Sequence, residues 1–253
     1  MPLEIVTVPC LSDNYAFLIH NRDTGETALV DAPESPPIVK ALAERGWSLD
    51  QILITHHHDD HIDGVEALRR LHGASVTGAA ADAHRLPLLD QAVAEGDSIA
   101  VCGETADIID VSGHTVGHIA YLMPGAAFTA DSLMAMGCGR VFEGSFEMMW
   151  NSLSKLAALD PGTMIYSGHE YTESNARFAL SVEPNNDELV RRAESIRQDR
   201  QEGRPTVPSV LSLELATNPF LRAGLDEVKS LIGLPNASDA ESFSEIRQRK
   251  DRF

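Results

Sequence analysis

Short apolar runs broken by turn residues alternate with longer stretches of helical period through the first two-thirds of the chain. Glu4 to Val8, Tyr15 to His20 and Thr27 to Asp31 are β-rich runs separated by Ser12-Asp13-Asn14 and Asp23-Thr24-Gly25. Pro36-Pro37 opens a helix through Ile38 to Leu42 that stops at Gly46. Gln51 to Thr55 predicts a strand. Asp63 can cap a helix from Gly64 to Leu71, with Val65, Leu68 and Leu71 on one face and Gly73 at its end. Further strands are expected at Ser75 to Gly78, Ser98 to Val101, Asp107 to Val111, Ile119 to Met123 and Ala127 to Thr129. A helix from about Ser145 to Leu159 precedes a last strand at Thr163 to Ser167.

After His169 the texture changes. Tyr171 to Val182 and Asp187 to Glu202 read as helices, punctuated by Pro184, Gly203-Arg204-Pro205 and Pro208, with no strand signal from there onward. The pattern predicts an α/β domain over residues 1–169 and a smaller, mostly helical domain over residues 170–253. No apolar run approaches the ~18 residues of a membrane span. The opening Met-Pro-Leu-Glu lacks a basic region followed by an apolar one, so no secretory signal is expected.

Composition narrows the partners. With 20 Lys and Arg against 38 Asp and Glu, the formal charge is −18, which repels phosphate backbones and anionic lipid. Neither nucleic acid nor a membrane is expected as a partner, and the chain is expected to be a monomer. Cys10, Cys102 and Cys138 are scattered and odd in number, which points to a reducing, cytoplasmic compartment rather than a disulfide framework.

The chemistry gathers where strands end. Seven of the 10 histidines fall in three places: His56, His57, His58 and His61; His114 and His118; and His169. Strand ends converge on one edge of a sheet, so the three places can meet. In "HHHDDH", His56 and His58 share a face if strand geometry persists, whereas Asp60 and His61 lie on the turn that follows and aim elsewhere. That arrangement suits two metal centres better than one. Imidazole and carboxylate are ligands for Zn²⁺, and also suit Fe and Mn. At such density, polar side chains without a cation would be poorly satisfied. His20, His72 and His84 are expected to be hydrogen-bonded core residues.

"THHHDDH" resembles the His-x-His-x-Asp-His signature of the metallo-β-lactamase superfamily, and "SGHTVGH", "FTADSL" and "YSGHEYT" follow in the family's order. "LSDNYAFLI", "GCGRVFEG", "GHEYTESNARFA", "VEPNN", "NPFLR" and "RQRKD" narrow the likeness to the glyoxalase II (hydroxyacylglutathione hydrolase) family over essentially the whole chain. The resemblance implies a four-layer αββα sandwich with a C-terminal helical domain. It implies two divalent metal ions, with Zn the leading choice. His56, His58 and His114 would hold one, and Asp60, His61 and His169 the other. Asp131 would bridge them together with a water or hydroxide. His57 and His118 would be hydrogen-bonded supports.

The same resemblance implies hydrolysis of S-2-hydroxyacylglutathione, chiefly S-D-lactoylglutathione, to D-lactate and glutathione, the second step of methylglyoxal detoxification. Arg247 and Lys250, three apart on a helix, would clamp glutathione carboxylates, with Arg140, Phe142 and Tyr171 as further contacts. Three positions depart from the pattern: Arg140 stands where lysine is common, Phe142 where tyrosine is common, and Asp59 where an aromatic residue is frequent. Other activities fit less well. A nuclease would want a basic groove, and a mononuclear-iron persulfide dioxygenase would leave part of the ligand set idle. A lactamase has no use for a glutathione clamp, and a non-catalytic metal protein has no use for a bridged pair of sites.

Overall fold

The structure, a computed structural model, describes residues 3–253. It resolves into two compact units: one formed by residues 1–110 and 117–129, the other by residues 111–116 and 130–253.

The first unit contains β1 (Leu3–Cys10), β2 (Asn14–Asn21), β3 (Thr27–Val30), α1 (Ser35–Arg45), β4 (Gln51–Leu53), α2 (Asp59–Ile62), α3 (Val65–His72), β5 (Ser75–Ala79), β6 (Gln91–Val93), β7 (Ser98–Val101), β8 (Glu104–Asp110), β9 (Ile119–Met123) and β10 (Ala126–Ala130). Strands β1 to β6 form one sheet in sequence order, antiparallel from β1 to β3 and parallel from β3 to β6. Strands β7 to β10 are antiparallel neighbours in a second sheet. The sheets face one another: Tyr121 on β9 donates its hydroxyl to the carbonyl of Ile54, and Phe17 on β2 packs against Phe128 on β10 at 5.8 Å. On the outer face of the first sheet, Ile38, Ala41, Leu42, Val65 and Leu68 of α1 and α3 seal a core with Leu18, Leu29, Ile52 and Val76. Three of the expected layers, one of helices and two of sheet, are thus represented within this unit.

The second unit contains β11 (Leu133–Met134), β12 (Gly137–Cys138), α4 (Phe146–Ala157), β13 (Met164–Ser167), α5 (Thr172–Val182), α6 (Asp187–Gln201), β14 (Ser209–Val210), α7 (Leu211–Thr217), α8 (Asp226–Leu231) and α9 (Asp239–Asp251). Its helices start on recognisable caps. Ser145 accepts from the Met148 amide at the head of α4, Asn186 caps α6, and Ser238 with Glu241 forms a capping box on α9. Phe178 stacks on Phe220, which meets Phe243 edge-on, through its interior.

Most expected elements stand where the pattern puts them; the short α2, β6, β11 and β12 are additions, and other differences are local. Asp63 ends α2 instead of capping the next helix, whose N-cap is Gly64. The two-residue β14 pairs with β13 in a stretch with no strand signal, too short to show a period. His84 is exposed and His72 half-buried, while His20 is a core residue stacked on Trp47 at 4.0 Å. Among the described residues no helix is long and apolar enough to cross a membrane.

Candidate metal centre

Each unit carries a cluster of the expected ligands. In the first, the chain leaves β4 and continues through Ile54 and Thr55 into the turn that holds His56, His58, Asp60 and His61. Asp31, at the end of β3, organises this turn. Its Oδ1 accepts from the Thr55 amide at 2.9 Å, and its Oδ2 accepts from the Thr55 hydroxyl and from His61 Nδ1, each at 2.8 Å. Having given its proton to Asp31, the Thr55 oxygen accepts from His56 Nδ1 at 3.0 Å. One buried carboxylate therefore sets the tautomer of two histidines, directly and through a hydroxyl. With both Nδ1 atoms protonated, each Nε2 presents a lone pair, the form in which imidazole binds a metal.

The neighbouring residues are also supported. Asn14 at the head of β2 donates to Asp60 Oδ2 at 2.9 Å and to the Asp60 carbonyl at 3.0 Å, which fixes a side chain otherwise 41% exposed. His61 and Asp60 face each other across 3.9 Å, and the rings of His56 and His61 lie 4.2 Å apart. His58 is half-buried beside His56. His57 turns away and bonds Asp82 at 2.8 Å, and the buried His118 sets its ring edge-on to His56 at 4.6 Å. Asp59 is exposed.

The second unit holds His114, Asp131 and His169, all buried. Asp131 Oδ2 lies 3.5 Å from His114 Nε2 and 3.2 Å from His169 Nε2. His114 Nδ1 donates to the Arg140 carbonyl at 2.7 Å, so its Nε2 also carries the lone pair. Tyr171 stacks flat on His169, with centroids 4.6 Å apart and planes 6° apart. Gly139 makes the close approach around Asp131 possible: a Cβ there would sit 1.9 Å from the Asp131 carbonyl oxygen. Imidazole nitrogens, with the tautomers of His56, His61 and His114 fixed, together with the hydrogen-bonded Asp60 and the buried Asp131, form a donor set that fits borderline divalent ions in both units.

The expected substrate contacts, all in the second unit, differ in their surroundings. Phe142 and Tyr171 are exposed. Arg140 is open to solvent, with its guanidinium over the Phe142 ring at 5.7 Å and Nε 3.5 Å from Asp251. Arg247, by contrast, is only 5% exposed. Its guanidinium donates to the Cys138 carbonyl and to Asp251, each at 3.0 Å, and lies over Phe220. Lys250 reaches the Ser174 carbonyl at 3.3 Å between the rings of Phe178 and Phe253. Burial, reinforced by the charges of Arg247 and Arg177, lowers its pKa from 10.5 to about 8.

Sequence reasoning missed Asp31, Thr55, Asn14 and Asp82. Asp31 carried a signal, a carboxylate closing the apolar run Thr27–Val30, but nothing local ties it to His61 thirty residues on.

Comparison with known proteins matches two successive stretches of the chain. Residues 12–169 match the metallo-beta-lactamase superfamily, and residues 170–253 match the family described as hydroxyacylglutathione hydrolase C-terminus. Proteins named hydroxyacylglutathione hydrolase from Cereibacter sphaeroides and Ruegeria pomeroyi are each 64% identical, covering 100% of both chains. Among solved structures, ETHE1 from Myxococcus xanthus superposes with a TM-score of 0.66 at 24% identity, over 98% of this chain and 90% of that one.

Proposed function

Because the chain belongs to the hydroxyacylglutathione hydrolase family of the metallo-beta-lactamase superfamily, we propose that it hydrolyses S-2-hydroxyacylglutathione, chiefly S-D-lactoylglutathione. The products are glutathione and D-lactate, which makes this the second step of methylglyoxal detoxification. The proposal assigns catalysis to residues 1–169 and glutathione binding to residues 170–253. It assigns His56, His58 and His114 to one divalent ion, Asp60, His61 and His169 to a second, and Asp131 to both, with zinc as the leading ion. Three buried cysteines suit a reducing cytoplasm.

One observation carries this reading: a single oxygen of buried Asp131 faces the Nε2 atoms of His114 and His169 at 3.5 and 3.2 Å. A carboxylate held between two imidazole nitrogens is stable when a cation is shared among them. Bound as a pair, divalent ions would bring the ionisation of water near neutral pH and polarise a carbonyl. The side chains do the rest. Asp31 and the Arg140 carbonyl keep the histidines in the metal-binding tautomer. Asn14 holds Asp60 to one orientation. Arg140 and Lys250 supply positive charge for the substrate's carboxylates, while Phe142 and Tyr171 offer exposed rings for its apolar parts. A thiol leaving group, with a pKa of ~8.5, departs without a strong general acid, and the assigned residues include none.

Steady-state rates on S-D-lactoylglutathione and on thioesters without the glutathione moiety test the substrate. The expected result is a kcat/KM at least about tenfold higher for the glutathione thioester. Equal values across the panel would sink the assignment.

A further inference from the structure

We propose that Glu214 and Asn218 are positioning residues for the metal ligands, acting through the β11–β12 hairpin. The inference rests on the ligand roles given above to Asp131 and His114.

Residues 131–140 form a short loop closed at its base and gripped at its tip. At the base, the Gly139 amide donates to the Ser132 carbonyl at 3.1 Å, and the missing side chain of Gly139 lets the strand press on the Asp131 carbonyl. The next carbonyl, that of Arg140, accepts from His114 Nδ1. The loop thus begins with one ligand and ends by orienting another.

At the tip, side chains from distant helices hold the backbone. Glu214 Oε2 accepts from the Met136 amide at 2.8 Å. Asn218 Nδ2 lies 2.9 Å from the Gly137 carbonyl and 3.2 Å from that of Met134. Asn175 donates to the Ala135 carbonyl at 3.1 Å, and Arg247 to that of Cys138 at 3.0 Å. Glu214 is fully buried. Its Oε1 pairs with Arg192, and its Oε2 also receives Asn218 at 3.1 Å, so the carboxylate is locked onto the hairpin.

The hairpin needs this grip. It has only two paired positions on each strand, Leu133 with Cys138 and Met134 with Gly137, and so short a ribbon is marginal alone. Met136 at its turn adopts a left-handed φ of 60°, which a side chain disfavours. Its side chain is buried against Ala176, Ala179 and Leu189. Releasing the tip lets the turn relax, and the closed base carries that motion to Asp131 and to the carbonyl under His114. Removing a residue that orients a metal ligand typically weakens metal binding about 10- to 100-fold.

Zn²⁺ affinity, measured by competition with a chromophoric chelator, tests the proposal on wild type, N218A, E214Q and a control, E183Q. Glu183 is also buried and paired, with Arg222 at 2.9 Å, and its partners lie outside the hairpin. The expected result is Zn²⁺ binding weakened at least about tenfold in folded N218A and E214Q, and unchanged in E183Q at a similar loss of Tm. Folded N218A or E214Q with wild-type affinity would overturn it, as would an equal weakening in E183Q. Failure of both hairpin variants to fold would make the grip structural and would also overturn it. Wild type that binds no Zn²⁺ would instead contradict the ligand assignment itself.

Discussion

His61 Nδ1 donates to Asp31 Oδ2 over 2.8 Å, and both groups are buried. The same oxygen receives the Thr55 hydroxyl that supports His56, so two proposed ligands depend on one carboxylate. In D31N the amide can turn its NH2 towards His61 and favour the tautomer with the proton on Nε2, where a metal should bind. D31N is therefore expected to fold and to lose metal affinity by about 10- to 100-fold. Zn²⁺ titration with circular dichroism on the same sample checks this, and wild-type affinity in D31N would remove Asp31 from the account.

Arg140 is the open cation of the substrate face, held over Phe142 and beside Asp251. R140A is expected to raise KM for S-D-lactoylglutathione about 3- to 10-fold with kcat nearly unchanged, the size of an exposed charged contact. R140K, which places lysine where it is common in the family, is expected to recover part of that loss. A fall in kcat with KM intact would move Arg140 from binding to the chemical step.

Lys250 has a pKa lowered to about 8 by burial and by its arginine neighbours. Its charge is lost as pH rises through that value, so kcat/KM for the anionic substrate is expected to fall there, and the fall should be absent in K250M. Stability runs the other way. The unfolded chain holds this proton up to about 10.5, so below about pH 8 the folded state bears the full cost of a desolvated charge. That cost fades as pH climbs from about 8 towards 10.5. The Tm advantage of K250M should accordingly be largest near neutrality and shrink above pH 8. Parallel pH profiles for wild type and K250M would contradict both statements.

The cysteines are expected to be inert. Burial pushes the thiols of Cys10 and Cys102 up to about 12 and that of Cys138 to about 11, leaving almost no thiolate at neutral pH. Native protein should not react with a thiol-specific chromogenic disulfide within minutes, and guanidinium should reveal all three. Rapid labelling of the folded enzyme would show that a cysteine is reachable.

The candidate ligands are legible in the sequence because they crowd: four histidines and two aspartates directly after the Ile52 to Thr55 run single themselves out as a metal-site hypothesis. The long strands and helices were legible too, from alternating apolar runs and from cues such as Pro36 at the start of α1 and Gly46 in the left-handed conformation at its end. What stayed hidden was short or non-local. The elements α2, β11, β12 and β14, of two to four residues, show no period along the chain. Asp31, Asn14, Glu214 and Asn218 are ordinary polar residues whose partners in the histidine turn and the hairpin lie between 24 and 84 positions away. The basic run at the C-terminus gives no sign that Arg247 is buried against Phe220 and the Cys138 carbonyl, because both partners lie far off in sequence.

The central claim is tested most directly by stripping the protein with chelator and adding Zn²⁺ back while metal content and S-D-lactoylglutathione hydrolysis are followed together. The account predicts that the folded apo-protein is inactive and that hydrolysis returns with bound metal, reaching its full value as the pair of sites fills. Full hydrolysis by metal-free protein, or metal uptake with no return of hydrolysis, would contradict it.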